Sequence, residues 1–317
     1  MISSQFIFED SEFPSCHAST IVQTTDGRIL AGWFGGTNEG NCDVEIYLSE
    51  LTTSGWSKYW VVANGEIGER RLSCYNPVLF QPRNGPLLLF YKIGTEPSLW
   101  RGYMKISNDG GWTWSRAMEL PCGIFGPIKN KPVELSNGWI LCGSSTEMGG
   151  WHVHFELTED FGKTWTVVKV DDPLDIPAIQ PSILLLGGRN LRAIGRTQQG
   201  KLFVVDSPDN GLTWEKMRLV TVMNPNSGTD ALTLNDCRHL LVFNDSSTNR
   251  WPLNVAISID GERWTNVLAL EQRPGVGNEG GEFSYPAIIQ TADDLVHITY
   301  TWNRIKIKHV TLNPHLL

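Results

Sequence analysis

The chain is written in short apolar runs, GPLLLFY, GWILCG, NLRAIG, HLLVF and LVHITY among them, each bounded by Gly, Asn, Asp or Pro. Runs this short with turn residues on both sides read as strands, because a helix shows its buried face as a 3.6-residue period sustained over a longer stretch. Almost nothing in the chain carries that period, so the pattern predicts an all-β protein.

The runs also repeat. HASTIVQTTDGRILAGW, NPVLFQPRNGPLLLFYK, KPVELSNGWILCGSSTE, QPSILLLGGRNLRAIGR, DALTLNDCRHLLVFN and YPAIIQTADDLVHITYTW each predict a strand, a turn and a second strand, giving six copies. Interleaved with them, SNDGGWTW recurs as TEDFGKTW, SPDNGLTW and SIDGERWT, which places Asp109, Asp160, Asp209 and Asp260 at intervals of 51, 49 and 51 residues. A weaker copy, SELTTSGW, ends at Trp56. Units of about fifty residues with this content predict a six-bladed β-propeller with four-stranded antiparallel blades, one domain over residues 1–317. The segment before His17, containing QFIFE, is expected to be the strand that completes the last blade and closes the ring. In each repeated turn the Asp is expected to accept local backbone N–H groups, the Gly to supply a positive φ and the Trp to pack into the blade.

Composition narrows the partners. The formal charge of −8, with no basic patch along the chain, argues against a nucleic-acid or anionic-membrane surface. No stretch reaches the length of an apolar membrane span, and MISSQFIFEDSEF has neither a basic nor an apolar leader region, so the expectation is a soluble, cytoplasmic chain. The six cysteines are scattered without CxxC spacing, which predicts buried free thiols and neither a metal site nor a cofactor.

Candidate chemistry follows from the alignment of the copies. A propeller's innermost strands line its channel, and the residues that open them are His17, Asn76, Lys131, Gln180, Asp230 and Tyr285. All six are polar where a structural position would more often be apolar, so the ring reads as a binding surface. The following strands end near Trp33, Lys92, Glu147, Arg196, Asn244 and Trp302, a second mixed ring. In NPNSGTDA, Asn226 and Ser227 are placed to bond a ligand's hydroxyls, GPIKNKP brings Lys129 and Lys131 to the mouth, and His154 reads as a packed histidine. The glycine-rich GVGNEGGEF beside Tyr285 reads as a lid.

With S-x-D-x-G-x-T-W turns on six predicted blades, the whole chain resembles the sialidase (neuraminidase) superfamily and its Asp-box repeats. That resemblance implies three arginines holding a sugar carboxylate, a tyrosine nucleophile helped by a glutamate, and an aspartate as acid. Tyr285 in EFSYPAI stands where the nucleophile would be; Arg196 and Arg250 stand for two of the arginines. His17 replaces the arginine expected near the start, and Gln180, sixteen residues before Arg196, replaces the glutamate. Glutamine cannot take the proton of a phenol, so Asp230 is the expected substitute base. Glu39 in WFGGTNEGNCDV is the expected acid, with Asp43 beside it, and Lys92, Lys129 and Lys131 keep the site cationic.

The expected partner is therefore an acidic glycan or oligosaccharide. Two classes of function are open at this point: a sialidase-like hydrolase, or on the same scaffold a uronate lyase with His17 as base, and a carbohydrate-binding propeller without catalysis.

Overall fold

Six sheets stand in a ring. The computed structural model describes residues 1–273 and 281–317; most of the predicted lid, residues 275–280, lies outside the described residues. Blades 2 to 5 are four-stranded meanders, each with its innermost strand first in the chain: Ser73–Phe80, Val133–Glu134, Ala178–Gly187 and Asp230–Thr233. Blade 1 begins at Ser15–Gln23 and adds a fifth strand, Trp60–Ala63, against Glu45–Thr52. Blade 6 begins at Phe283–Gln290 and is completed by the opening segment of the chain, Ser3–Phe6, which pairs antiparallel with Lys306–Leu312 with Ser3 opposite Thr311. The expected closure and the six blades are both present.

Side chains alternate across each sheet, so every strand has two faces to bury, and neighbouring blades bury them against each other. One such layer gathers Leu184, Ile194 and Val204 of blade 4 with Leu241 and Ala256 of blade 5. Each repeated turn reinforces such a layer. Asp109 accepts from the backbone and hydroxyl of Thr113, Asp160 from those of Thr164, and Asp209 from those of Thr213, while Gly111, Gly162 and Gly211 hold φ of 99°, 91° and 81°. The tryptophans, however, reach beyond their own blade. Trp214 stacks on Phe155 of the preceding blade at 3.6 Å and 8°, Trp165 meets Phe90 edge-on, and Trp56 meets His309 of blade 6 edge-on at 5.1 Å. The turns therefore join blade to blade.

Behind Trp56, His309 Nε2 lies 2.9 Å from His297 Nδ1 inside blade 6. Burial, and then the neighbouring His297, push His309 down to about 3, and burial lowers His297 as well. The contact thus joins two neutral rings, one donating and one accepting.

The innermost strands of blades 1, 2, 4 and 6 share an irregularity that the sequence alignment did not show. Each carries one extra residue, seen as a register shift, and a left-handed residue within it: Ala18 at φ 54°, Asn76 at 38°, Gln180 at 58° and Tyr285 at 52°. In the last three a proline follows. A bulge bends its strand and re-aims one side chain, and a left-handed tyrosine is costly without support from its surroundings. The bulge also shifts blade 1 by one residue. Ala18, not His17, is the counterpart of Tyr285, and His17 corresponds to Ser284.

Candidate active site at the channel mouth

Strand direction alternates within each blade, so the starts of the innermost strands, the ends of the second strands and the loops between second and third strands all meet on one face. The Asp-box turns lie on the other. Tyr285, 9% exposed, sits at the centre of the mouth. The guanidinium carbons of Arg196 and Arg250 lie 5.3 and 5.7 Å from its ring centre, and Lys129 Nζ lies 5.7 Å away. His17 packs on the ring with centroids 4.1 Å apart. The Tyr285 hydroxyl makes no hydrogen bond among the described residues, and it is not closed off from solvent.

A third arginine completes the group. Arg304, in the tight turn between the second and third strands of blade 6, joins Arg250, Arg196 and Lys129 in the positive field that, after burial itself, holds His17 well below its ordinary value. Asn303 and Arg304, in the three-residue connection from Trp302 to Lys306, both take the left-handed conformation, φ 52° and 58°, and the Ile305 N–H donates to the Trp302 carbonyl at 3.1 Å to close the turn. Glu282 organises two of the arginines: it accepts from Arg304 Nε at 3.0 Å and Arg250 Nη1 at 3.1 Å, and Ser284 Oγ donates to it at 2.9 Å. Its Oε1 is 3.9 Å from His17 Nδ1. Asn244 supports the Arg250 loop by donating to the carbonyls of Pro252 and Phe283. Arg196, 5% exposed, gives Nη1 to the carbonyl of Asn226 at 3.2 Å and leaves Nε without a partner among the described residues.

Buried polar atoms without partners collect here. Both nitrogens of His17, the side-chain oxygens of Gln180, Asn226 and Asn244, and Arg196 Nε are closed to solvent and unbonded among the described residues. Such atoms each cost free energy unless water or a ligand serves them, so their gathering at one place marks a site.

Two carboxyls stand at the rim. Glu39, in the loop after the second strand of blade 1, pairs with Arg304 Nη1 at 2.6 Å. Glu147, at the end of the second strand of blade 3, accepts from Trp151 Nε1 at 3.1 Å, and Trp151 in turn lies 5.0 Å below the Arg196 guanidinium. Burial raises the Glu147 carboxyl; Arg196 and the Trp151 bond oppose this, and Glu39 adds to it. Asp43 caps its own loop through the backbone and hydroxyl of Thr37.

Several residues expected in the site have other work. Asp230, 1% exposed, accepts from Lys131, Ser182 Oγ and the backbone N–H groups of Ala231 and Ile288. It is a staple joining blades 3, 4, 5 and 6 across the channel, with no bond to Tyr285, and Lys131 is its counter-ion. Lys92 is wholly buried against the Pro127 carbonyl and is lowered to about 7 by burial, with Glu156 opposing. Glu156 is itself fixed by Phe125 N, Gly126 N and His154. Asn76 ties its bulge to the Ile128 carbonyl, and Ser227 is fully buried in a turn held by Asn224. Lys129 keeps its place beneath Tyr285, held by Asn130 Oδ1 and the carbonyls of Thr229 and Pro286. Arg304 and Glu282 were missed because neither opens a strand nor belongs to a repeat. Counting strand directions would have put the turn after Trp302 on this face.

Comparison with known proteins gives a consistent picture of the scaffold. The NanB sialidase of Streptococcus pneumoniae is similar over 99% of this chain and 71% of its own, with a TM-score of 0.80 and 12% identity. The intramolecular trans-sialidase of Ruminococcus gnavus is similar over 95% of this chain and 94% of its own, at 0.72 and 14%. A Dyadobacter fermentans protein of unknown function is similar over 98% of both chains, at 0.81 and 16%. No curated protein matches in sequence. The family described as BNR repeat-like domain matches residues 27–298. The chain is thus a member of the BNR repeat-like domain family, built on the six-bladed propeller that sialidases share.

Proposed function

We propose that the chain is a glycoside hydrolase that removes a terminal acidic sugar, sialic acid or a related ulosonic or uronic acid, from a glycan. One observation carries this reading: Arg196, Arg250 and Arg304, from three successive blades, surround a tyrosine whose hydroxyl is free to meet a ligand. Guanidinium groups suit a carboxylate because their planar N–H pairs match its two oxygens. Arg304 takes up the third cationic place that His17 leaves vacant, and Tyr285 is then positioned as nucleophile at the anomeric carbon. His17 supports the Tyr285 ring; with both nitrogens closed off it has no path to a ring proton of a uronate, which disfavours elimination.

A second reading, an acidic-glycan-binding propeller without turnover, is favoured by one observation. No described side chain hydrogen-bonds the Tyr285 hydroxyl, so no base stands against it among the described residues, although catalytic hydrogen bonds often tighten only with substrate bound. A panel of acidic glycosides and uronate-terminated oligosaccharides distinguishes the readings. Free sugar without ultraviolet absorbance supports hydrolysis. Absorbance from an unsaturated product means a lyase, and binding without either product means the non-catalytic propeller.

A further inference from the structure

We propose that Glu147 is the proton donor to the leaving-group oxygen, with the leaving group lying along the blade 2 and blade 3 rim. This rests on the hydrolase reading above. Glu147 occupies the edge between two unlike surfaces. On one side is the cationic group around Tyr285, reached through Trp151 and Arg196. On the other, Glu147 lines a small cleft of about 10 Å³ with Pro97, Trp100, Phe125 and Ile128; Trp100 and Phe125 also line a separate groove of about 580 Å³ that takes in Met148. A glycoside whose carboxylate faces the arginines has its departing group on the far side of the anomeric centre, where aromatic side chains suit the face of a second sugar or an aryl group.

The two rim carboxyls are not equivalent. Glu39 is held by an arginine at 2.6 Å and so anchors Arg304. Glu147 has no cation within ion-pair distance among the described residues; the one hydrogen bond to its carboxyl among them comes from the neutral Trp151 indole. A carboxyl that is partly buried and not ion-paired is the one suited to carry a proton near neutral pH. In the first step the bond from the anomeric carbon to the leaving oxygen breaks, its electron pair stays with that oxygen, and Glu147 gives up its proton there. Tyr285 Oη forms the new bond to the anomeric carbon and loses its proton to water. In the second step the Glu147 carboxylate takes a proton from an attacking water, whose oxygen replaces Tyr285, and the phenolate regains a proton from solvent.

The test compares Glu147→Gln with the wild type on two glycosides of one acidic sugar, a 4-nitrophenyl glycoside and one with a galactose leaving group. Glutamine keeps an acceptor for Trp151, so the fold is preserved, and near-ultraviolet circular dichroism checks this. The expected result is a loss of about 10²- to 10⁴-fold on the galactose-linked substrate, less than 10-fold on the nitrophenyl one, and disappearance of the alkaline limb of kcat/KM. Glu39→Gln should lower both substrates alike, because it frees Arg304. Equal loss on both substrates for Glu147→Gln, or none, overturns the assignment while leaving the hydrolase reading in place. A wild-type protein that cleaves neither substrate, with binding confirmed, overturns both.

Discussion

A single aspartate illustrates how a polar residue in a channel is read. Asp230 opens an innermost strand and so looked available, yet four donor groups use it, one of them the Lys131 ammonium. Removing the charge leaves that ammonium partly buried without its partner. Asp230→Asn is therefore expected to cost about 3 kcal/mol of stability, measured by chemical denaturation, and not to act on turnover alone. Arg304→Ala should do the reverse: little loss of stability, and weaker binding of an acidic sugar by about 1.5 to 3 kcal/mol by calorimetry. His309 sets a limit at acid pH. Its native value of about 3 lies below the unfolded value of about 6.5, so the unfolded chain binds the proton more readily. The stability it contributes is complete above pH 6.5 and is lost as pH falls, by about 1.4 kcal/mol per unit until about pH 3. Urea midpoints measured from pH 7 down to pH 4 should fall accordingly, and His309→Gln should flatten the slope if it folds.

At the level of strands and turns, more was legible than at the level of side chains. Turn signals and apolar runs predict the strands, and the six aligned strand-turn-strand copies predict the blade count, because both depend on local chemistry that each copy repeats. The bulges depend on whether a strand keeps its register against a neighbour, which no single copy records; hence His17 was aligned one residue away from its true counterpart Ala18. The partners of Lys92 and Ser227 also lie in loops from other parts of the chain or in a compact turn, and alternation alone cannot say which way such side chains face. The inter-blade role of the Asp-box tryptophans leads to a prediction for these turns. Trp214→Ala should cost about 3 to 5 kcal/mol by opening a cavity between blades 3 and 4, whereas Asp109→Ala, in an exposed turn, should shift the denaturation midpoint far less.

For the whole molecule, closure by Ser3–Phe6 gives the ring a seam whose two sides come from opposite ends of the sequence. Synthesis makes this strand before all the strands of the other five blades, and its partner Lys306–Leu312 after them, so the segment waits as an unpaired edge while those blades are assembled. Since Ser3 lies opposite Thr311, the two ends are close enough to be joined by a short linker and the chain reopened elsewhere, for example between blades 3 and 4. Such a permuted protein would reach the same ring with every blade made of consecutive strands. Its expected signature is a native-like circular dichroism spectrum with a higher yield of soluble protein after rapid dilution from denaturant, the early strand no longer having to wait for the late one.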